Sequence, residues 1–243
     1  MQNIQRATTT LPGLVRRWLR PVGRRLLGTL VRVETNEPVV ALTFDDGPHP
    51  VYTAQILDLL RQYRSRATFF LLGRHAVDQR ALVAQIAAAG HAIGNHTFNH
   101  ARMPEISRWQ RWRELWMARR ALSPYGVPLF RPPYGGQSYG SRLDVFLFGY
   151  EVTGWTSHIE DWVAQPATQL AERLRQQLHP GSIILLHDRL ANPRDPAAVD
   201  RSPLIEALAT VLRLSHTTYG FVTVPELIRT GRPVRVPWFR PAR

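Results

Sequence analysis

From Val39 to Val224 the chain alternates short apolar runs with stretches of helical periodicity, and that alternation confines it to an α/β fold with a parallel sheet. The runs predict strands at Val39–Phe44, Ala67–Leu72, His91–Gly94, Val127–Arg131, Glu151–Trp155, Ser182–His187 and Phe221–Val224. Helices are expected over Tyr52–Tyr63, Val77–Ala89, Glu105–Leu122, Ser141–Phe148, Ala167–Leu178 and Pro203–Leu214, with a last short turn at Pro225–Ile228. Ser182–His187 is apolar almost without interruption, as a strand covered on both faces should be. Seven such β/α units make either a barrel or a doubly wound open sheet. In both, chemistry gathers at the C-terminal ends of the strands.

The 243 residues show no internal repeat and no Gly/Ser-rich linker. A single globular unit is expected over 38–230, between a basic N-terminal segment (1–37) and a basic C-terminal tail (231–243). A 44% hydrophobic share supplies a core. No cysteine is present, so disulfides and thiolate chemistry are excluded and any metal must use His and carboxylates. All 31 basic residues are Arg, which removes every mechanism that needs a Lys amine.

A net charge of +13 favours an anionic partner. No recognised nucleic-acid motif occurs, and nucleic acid is not expected as that partner. No segment approaches the ~20 apolar residues of a membrane span. Arg16, Arg17, Arg20, Arg24 and Arg25 interrupt every candidate signal-peptide core. Residues 11–31 instead read as a basic amphipathic stretch, broken by Pro21 and Gly23 into two short helices. It suits either an anionic membrane surface or the outside of the fold. The expected location is therefore cytoplasmic, or peripheral on the inner face of the cytoplasmic membrane. Trp109, Trp112 and Trp116 form a second stripe, flanked by Arg. Such a stripe suits a membrane interface, but packing on the core is the preferred expectation.

Five short segments carry candidate chemistry. Asp45-Asp46-Gly47-Pro48 ends a strand on two carboxylates and a turn. Alone, the doublet fits a solvated turn as well as a site. His96 and His100 have the spacing that puts two imidazoles on one side of a turn. Together with one carboxylate of the doublet they can hold a divalent metal and leave the other carboxylate free as a base. Arg131-Pro132-Pro133-Tyr134-Gly135 ends another strand, where Arg131 can pair with a carboxylate and the rigid loop can aim an amide N–H. Asp161-Trp162 follows a strand by a loop. Leu185-Leu186-His187-Asp188 brings His187 out of a buried strand, with Asp188 either orienting the imidazole or solvated.

These five segments resemble, in order, the five motifs of the polysaccharide deacetylases, carbohydrate esterase family 4, over roughly Val39 to Val224. The family includes chitooligosaccharide, chitin and peptidoglycan deacetylases. The resemblance implies a distorted (β/α) barrel of about seven parallel strands, a catalytic domain over 38–230, and hydrolytic de-N-acetylation of N-acetylglucosamine-type sugars. It implies that Asp45 is the general base and His187 the general acid. Asp46, His96 and His100 would hold one divalent metal, zinc foremost, with cobalt, nickel or manganese as alternatives. Arg131 would position the base, and Asp161 would hold that arginine. The Tyr134 backbone N–H would bind the oxyanion, Trp162 would wall the pocket, and Leu185 would line the acetyl-methyl pocket. The implied partner is an N-acetylated glycan. The basic N-terminus suggests as an alternative a lipid-linked amino-sugar phosphate, deacetylated or deformylated at the membrane. More distant alternatives are a non-catalytic carbohydrate-binding protein and a non-haem iron oxygenase, whose two-His, one-carboxylate triad is similar but lacks the acid–base pair.

Overall fold

The computed structural model describes residues 28–237. At its centre is β2 (Val39–Asp45), flanked by β3 (Thr68–Leu71) and β8 (Ile183–His187), all parallel. Outside β3 follow β4 (Ala92–Asn95), β5 (Gly126–Phe130) and β6 (Glu151–Val152); outside β8 lies β7 (Ser157–His158). These seven strands, in the order β6-β5-β4-β3-β2-β8-β7, curl into a half-barrel. A short β9 (Gly220–Phe221) pairs with the start of β2.

Helices α1 (Tyr52–Gln62), α2 (Gly73–Asp78), α3 (Arg80–Ala88), α4 (Arg108–Leu122), α5 (Tyr139–Leu147), α6 (Ala167–Gln176), α7 (Ser202–Ser215) and α8 (Val224–Arg229) connect the strands. The period-2 alternation of β2 sorts its residues between two cores. Leu42 and Phe44 join Leu60, Phe69, Leu186 and Leu208 in the layer between sheet and helices. Ala41 faces the barrel interior with Phe70, Trp155 and Leu185. Thr43 and Asp45 fall on that same inner face, so the strand delivers a carboxylate into the barrel mouth.

Four expectations change. The segment expected to be helical through residue 31 is, from Thr29, a strand: β1 (Thr29–Glu34) pairs antiparallel with β10 (Arg232–Val236). Its β-branched residues Thr29, Val31 and Val33 favour an extended backbone. Leu30 and Val33 are buried, Gly154 N–H donates to Leu30 O at 2.7 Å, and Val33 N–H donates to Gly181 O at 2.9 Å. Residues 29–34 and 232–236 thus belong to the folded body rather than to terminal tails. The amphipathic helices expected over 11–27 lie outside the described residues.

The helix expected at 77–89 is two helices, α2 and α3, broken at Gln79. The strand expected at Glu151–Trp155 is shorter, and β7 follows it as a strand of its own. The tryptophan stripe of α4 faces outward: Trp109, Trp112 and Trp116 are exposed, while Glu114, Leu115, Ala118 and Leu122 are buried. Both stripes have helical period, and size decides between them. Ala118 Cα lies 2.8 Å from where a Cβ on Gly73 would sit, so α2 and α4 approach too closely for an indole.

Candidate active site

Parallel register places the chemistry at one rim. Asp45 on β2 is aligned with His187 on β8, and Leu71 on β3 with Asn95 on β4. Arg131 follows β5 and is completely buried. Its guanidinium donates to Asp45 Oδ1 (2.8 Å), Thr43 Oγ1 (2.7 Å) and Gly154 O (2.7 Å), and stacks 4.1 Å from the Phe70 ring centroid. Burial draws the Arg131 pKa below its usual value, against the pull of Asp45, yet an arginine stays protonated in a folded protein. A buried cation so fully bonded fixes Asp45 Oδ1 and leaves Oδ2 for other work.

Asp46, the next residue, turns the other way at φ 72. The Nε2 atoms of His100 and His96 lie 3.1 and 3.3 Å from its Oδ1. All three residues are buried, and their candidate ligand atoms lie within 4.8 Å of one another. His96 Nδ1 is 2.7 Å from Arg131 O and His100 Nδ1 is 3.1 Å from Tyr134 Oη. Donation from each Nδ1–H leaves both Nε2 lone pairs aimed at the centre. Asp46 Oδ2 accepts from Ala191 N–H at 2.9 Å, but Oδ1 is buried without an aligned hydrogen-bond donor. Such an orphaned oxygen is costly, and a cation would satisfy it. Burial raises the Asp46 pKa, but His100 and His96 outweigh it and hold the carboxyl well below its ordinary value. The donor set, two imidazoles and one carboxylate, suits a divalent transition metal.

The backbone around this trio is unusual. Asp46, Thr97, His100 and Tyr134 all adopt positive φ without being glycine. Such conformations persist only where surrounding contacts over-determine them. Several of those contacts were not anticipated from the sequence. Glu114 of α4 accepts from Phe98 N–H, Asn99 N–H and Asn99 Nδ2 at 2.7–2.9 Å, clamping the loop between the two histidines. Asn95 Oδ1 accepts from Thr97 N–H at 2.8 Å, and Thr97 Oγ1 from His100 N–H at 3.0 Å. Asn192 Nδ2 donates to Tyr134 Oη at 2.8 Å. The one available signal was Glu114, the only acid on an Arg-rich helix.

Across the mouth, His187 Nδ1 is 3.0 Å from Asp161 Oδ1, and His187 N–H donates to Asp161 Oδ2 at 2.8 Å. Burial alone would lower the His187 pKa; the Asp161 carboxylate pushes it up to about 9. Asp161 is lowered, its burial outweighed by His187 and Arg201. This corrects the expected role of Asp161: it holds His187, not Arg131, and its own arginine partner is Arg201. Asp188 does not orient the imidazole either. It is buried against Gly47, where any Cβ would strike its carboxylate at 2.2 Å, and it accepts from Thr53 Oγ1. Burial pushes its pKa up to about 7. Trp162 stands edge-on to His187 at 5.8 Å, and Leu185 is buried in the adjoining apolar cluster. Tyr134 is at the rim with Arg102 over its ring at 4.0 Å.

The polysaccharide deacetylase family model matches residues 32–153. A peptidoglycan N-acetylglucosamine deacetylase of Bacillus cereus is 35% identical, over 89% of this chain and 98% of that protein. A chitooligosaccharide deacetylase of Sinorhizobium fredii is 34% identical, over 81% and 94%. Among solved structures, a peptidoglycan N-acetylglucosamine deacetylase bound to 4-naphthalen-1-yl-N-oxidanyl-benzamide superposes with TM-score 0.75 and 27% identity, over 88% of this chain and 97% of that one. The chain belongs to the polysaccharide deacetylase family and is a carbohydrate-deacetylating hydrolase. That family is metal-dependent in general, and Asp46, His96 and His100 form a possible metal site.

Proposed function

We propose that this enzyme removes acetyl groups from N-acetylglucosamine-type units of an oligo- or polysaccharide, with one divalent metal, zinc foremost, at Asp46, His96 and His100. The observation that carries the reading is the pairing across the mouth: Asp45 held by Arg131 on one side, and His187 held by Asp161 on the next strand. A divalent cation in that trio supplies Lewis-acid polarisation of the amide carbonyl and a water more acidic than bulk.

Asp45 Oδ2, 3.8 Å from His96 Nε2, accepts a proton from the attacking water. The oxygen forms a bond to the carbonyl carbon, and the Tyr134 N–H helps to hold the negative charge that develops on the carbonyl oxygen. With Nδ1 engaged by Asp161, His187 presents Nε2 and gives its proton to the departing amine nitrogen as the C–N bond breaks. The products are a free amino sugar and acetate. Trp162 and Leu185, apolar and beside His187, provide the wall against which the acetyl methyl group packs. No observation favours a lipid-linked amino-sugar phosphate over a glycan. Among the described residues no helix is long and apolar enough to cross a membrane.

The test is acetate release from chitooligosaccharide and from peptidoglycan by the purified chain, before chelation, after it, and after readdition of zinc, cobalt, nickel or manganese. Metal per chain is measured in parallel. His100→Ala should lose bound metal and turnover together. A His100→Ala protein with full metal occupancy, or an untreated chain as active after exhaustive chelation, would overturn the site.

A further inference from the structure

Two loops that touch Asp46 carry cations for which the hydrolysis has no use. Beyond β3, Arg74 N–H donates to Phe98 O at 3.1 Å, in the loop between the two metal-site histidines. Arg74 Nε donates to His75 Nε2 at 3.2 Å, which leaves His75 Nδ1–H to donate to Asp46 O at 2.8 Å. Beyond β8, Ala191 N–H donates to Asp46 Oδ2 at 2.9 Å, and Arg189 precedes it on the same loop. Each loop thus brings one arginine to the flank of the Asp46–His96–His100 trio. Both loops follow strands that pair with β2, at the rim that also holds Asp45 and His187.

These two arginines differ from the others at the rim. Arg131 is matched by Asp45 and Arg201 by Asp161. Arg74 and Arg189 are half-buried, and neither forms an ion pair among the described residues. Of the Arg74 nitrogens, only the side-chain Nε has a side-chain acceptor there. Asp188, next to Arg189 in sequence, is turned to Gly47 and Thr53 instead. Burial draws the Arg189 pKa down and Arg74 adds to this, against the pull of Asp188, Asp46 and Asp78. The same field reaches His49, which burial lowers first and Arg189 lowers further. An arginine keeps its proton in a folded protein. Two half-buried like charges therefore stand near each other at a cost that an oxyanion would offset. The acetamide of an N-acetyl sugar is neutral and supplies none.

We infer that Arg74 and Arg189 form an oxyanion subsite beside the metal trio, which takes a carboxylate or phosphate substituent of the glycan. A guanidinium fork matches two oxygens of either group. Because both arginines stand on loops bonded to Asp46, the anion they take lies close to the acetamide under attack. The subsite rests on the reading of the enzyme as a glycan N-deacetylase, and it selects among the glycans that such an enzyme accepts.

The test is kcat/KM for acetate release from matched pairs of soluble substrates. One pair is an oligosaccharide of N-acetylglucosamine and N-acetylmuramic acid, with its lactyl carboxylate free or methyl-esterified. The other is a chitooligosaccharide with or without a phosphate ester. The anionic member of at least one pair should be preferred roughly tenfold or more, the order expected of charge-assisted hydrogen bonds. Salt should shrink the preference, and the pair that shows it distinguishes carboxylate from phosphate. Arg189→Gln and Arg74→Gln should each bring the anionic-to-neutral ratio towards one, chiefly through KM, with metal content measured alongside. Arg189→Lys should restore part of the ratio. An equal loss of kcat/KM on both members of a pair would mark the arginines as merely structural and overturn the subsite. A wild type that hydrolyses both members of each pair alike would also overturn it, while leaving the deacetylase reading in place. Failure of the metal-loaded wild type to hydrolyse any of the four substrates would remove that reading and the subsite together.

Discussion

Replacing Asp161 by Asn separates its role from that of an ordinary structural residue. The amide keeps the shape and can still accept from His187 N–H, but it removes the charge that lifts the imidazole. With the carboxylate present, His187 titrates at about 9. Without it, burial is opposed only by the weaker pull of Asp46 and Asp45, and the group returns towards its ordinary value of about 6.5. At pH 8, with the group at about 6.5, the acid form falls from about nine-tenths of the enzyme to about 3%, a loss of roughly thirtyfold from protonation alone. Asp46 and Asp45 also raise His187, though less than Asp161 does. A bound divalent cation offsets those two contributions, so the wild-type basic limb should lie somewhat below 9. The assay is kcat against pH for acetate release, with metal content checked in each variant. The basic limb of Asp161→Asn should move down by about two units, and activity should recover in part near pH 6. The same pair is linked to stability. A folded-state pKa above the unfolded one stabilises fully below about pH 6.5, and that contribution is lost as pH rises through about 9. Tm should therefore fall between pH 6 and 9 more in the wild type than in the variant. A basic limb that stays in place in Asp161→Asn, with metal retained, would refute the assignment of Asp161 to His187.

Two further outcomes are expected. Asp45→Asn should keep the fold and most of the metal while turnover falls by roughly 10²–10⁴, the usual cost of removing a general base; near-wild-type kcat would take Asp45 out of that role. A chain beginning at residue 28 should melt close to the full-length protein. One beginning at residue 38 removes β1 and the buried Leu30 and Val33, worth about 1.5–3 kcal/mol each, and should melt much lower or not fold; equal Tm for the two would show that β1 is dispensable.

The contrast between what the sequence shows and what it hides has a physical pattern. The β/α alternation, the strand-end positions of Asp45, Asp46, Arg131 and His187, and the clustering of His96 with His100 all follow from local periodicity. Such features depend on neighbours a few residues away, and a single sequence displays them. What stayed hidden depends on contacts between distant segments. The β1–β10 ladder joins residues about 200 positions apart through two short strands, and the basic residues of each read locally as tails. Asp161 illustrates the same limit within the site. Sequence places Arg131, Asp161 and His187 at strand ends near one another, but which of them Asp161 meets depends on the path of the loop before it. The register of β7 against β8 aligns His158 with Leu185, which brings the following loop to His187 and leaves Arg131 to Asp45. The tryptophan stripe of α4 follows the same rule from the other direction. Two apolar stripes of one period compete for the core, and the winner is set by the close passage of Gly73 on α2. The face that lost, rich in indole and arginine, is the exposed one.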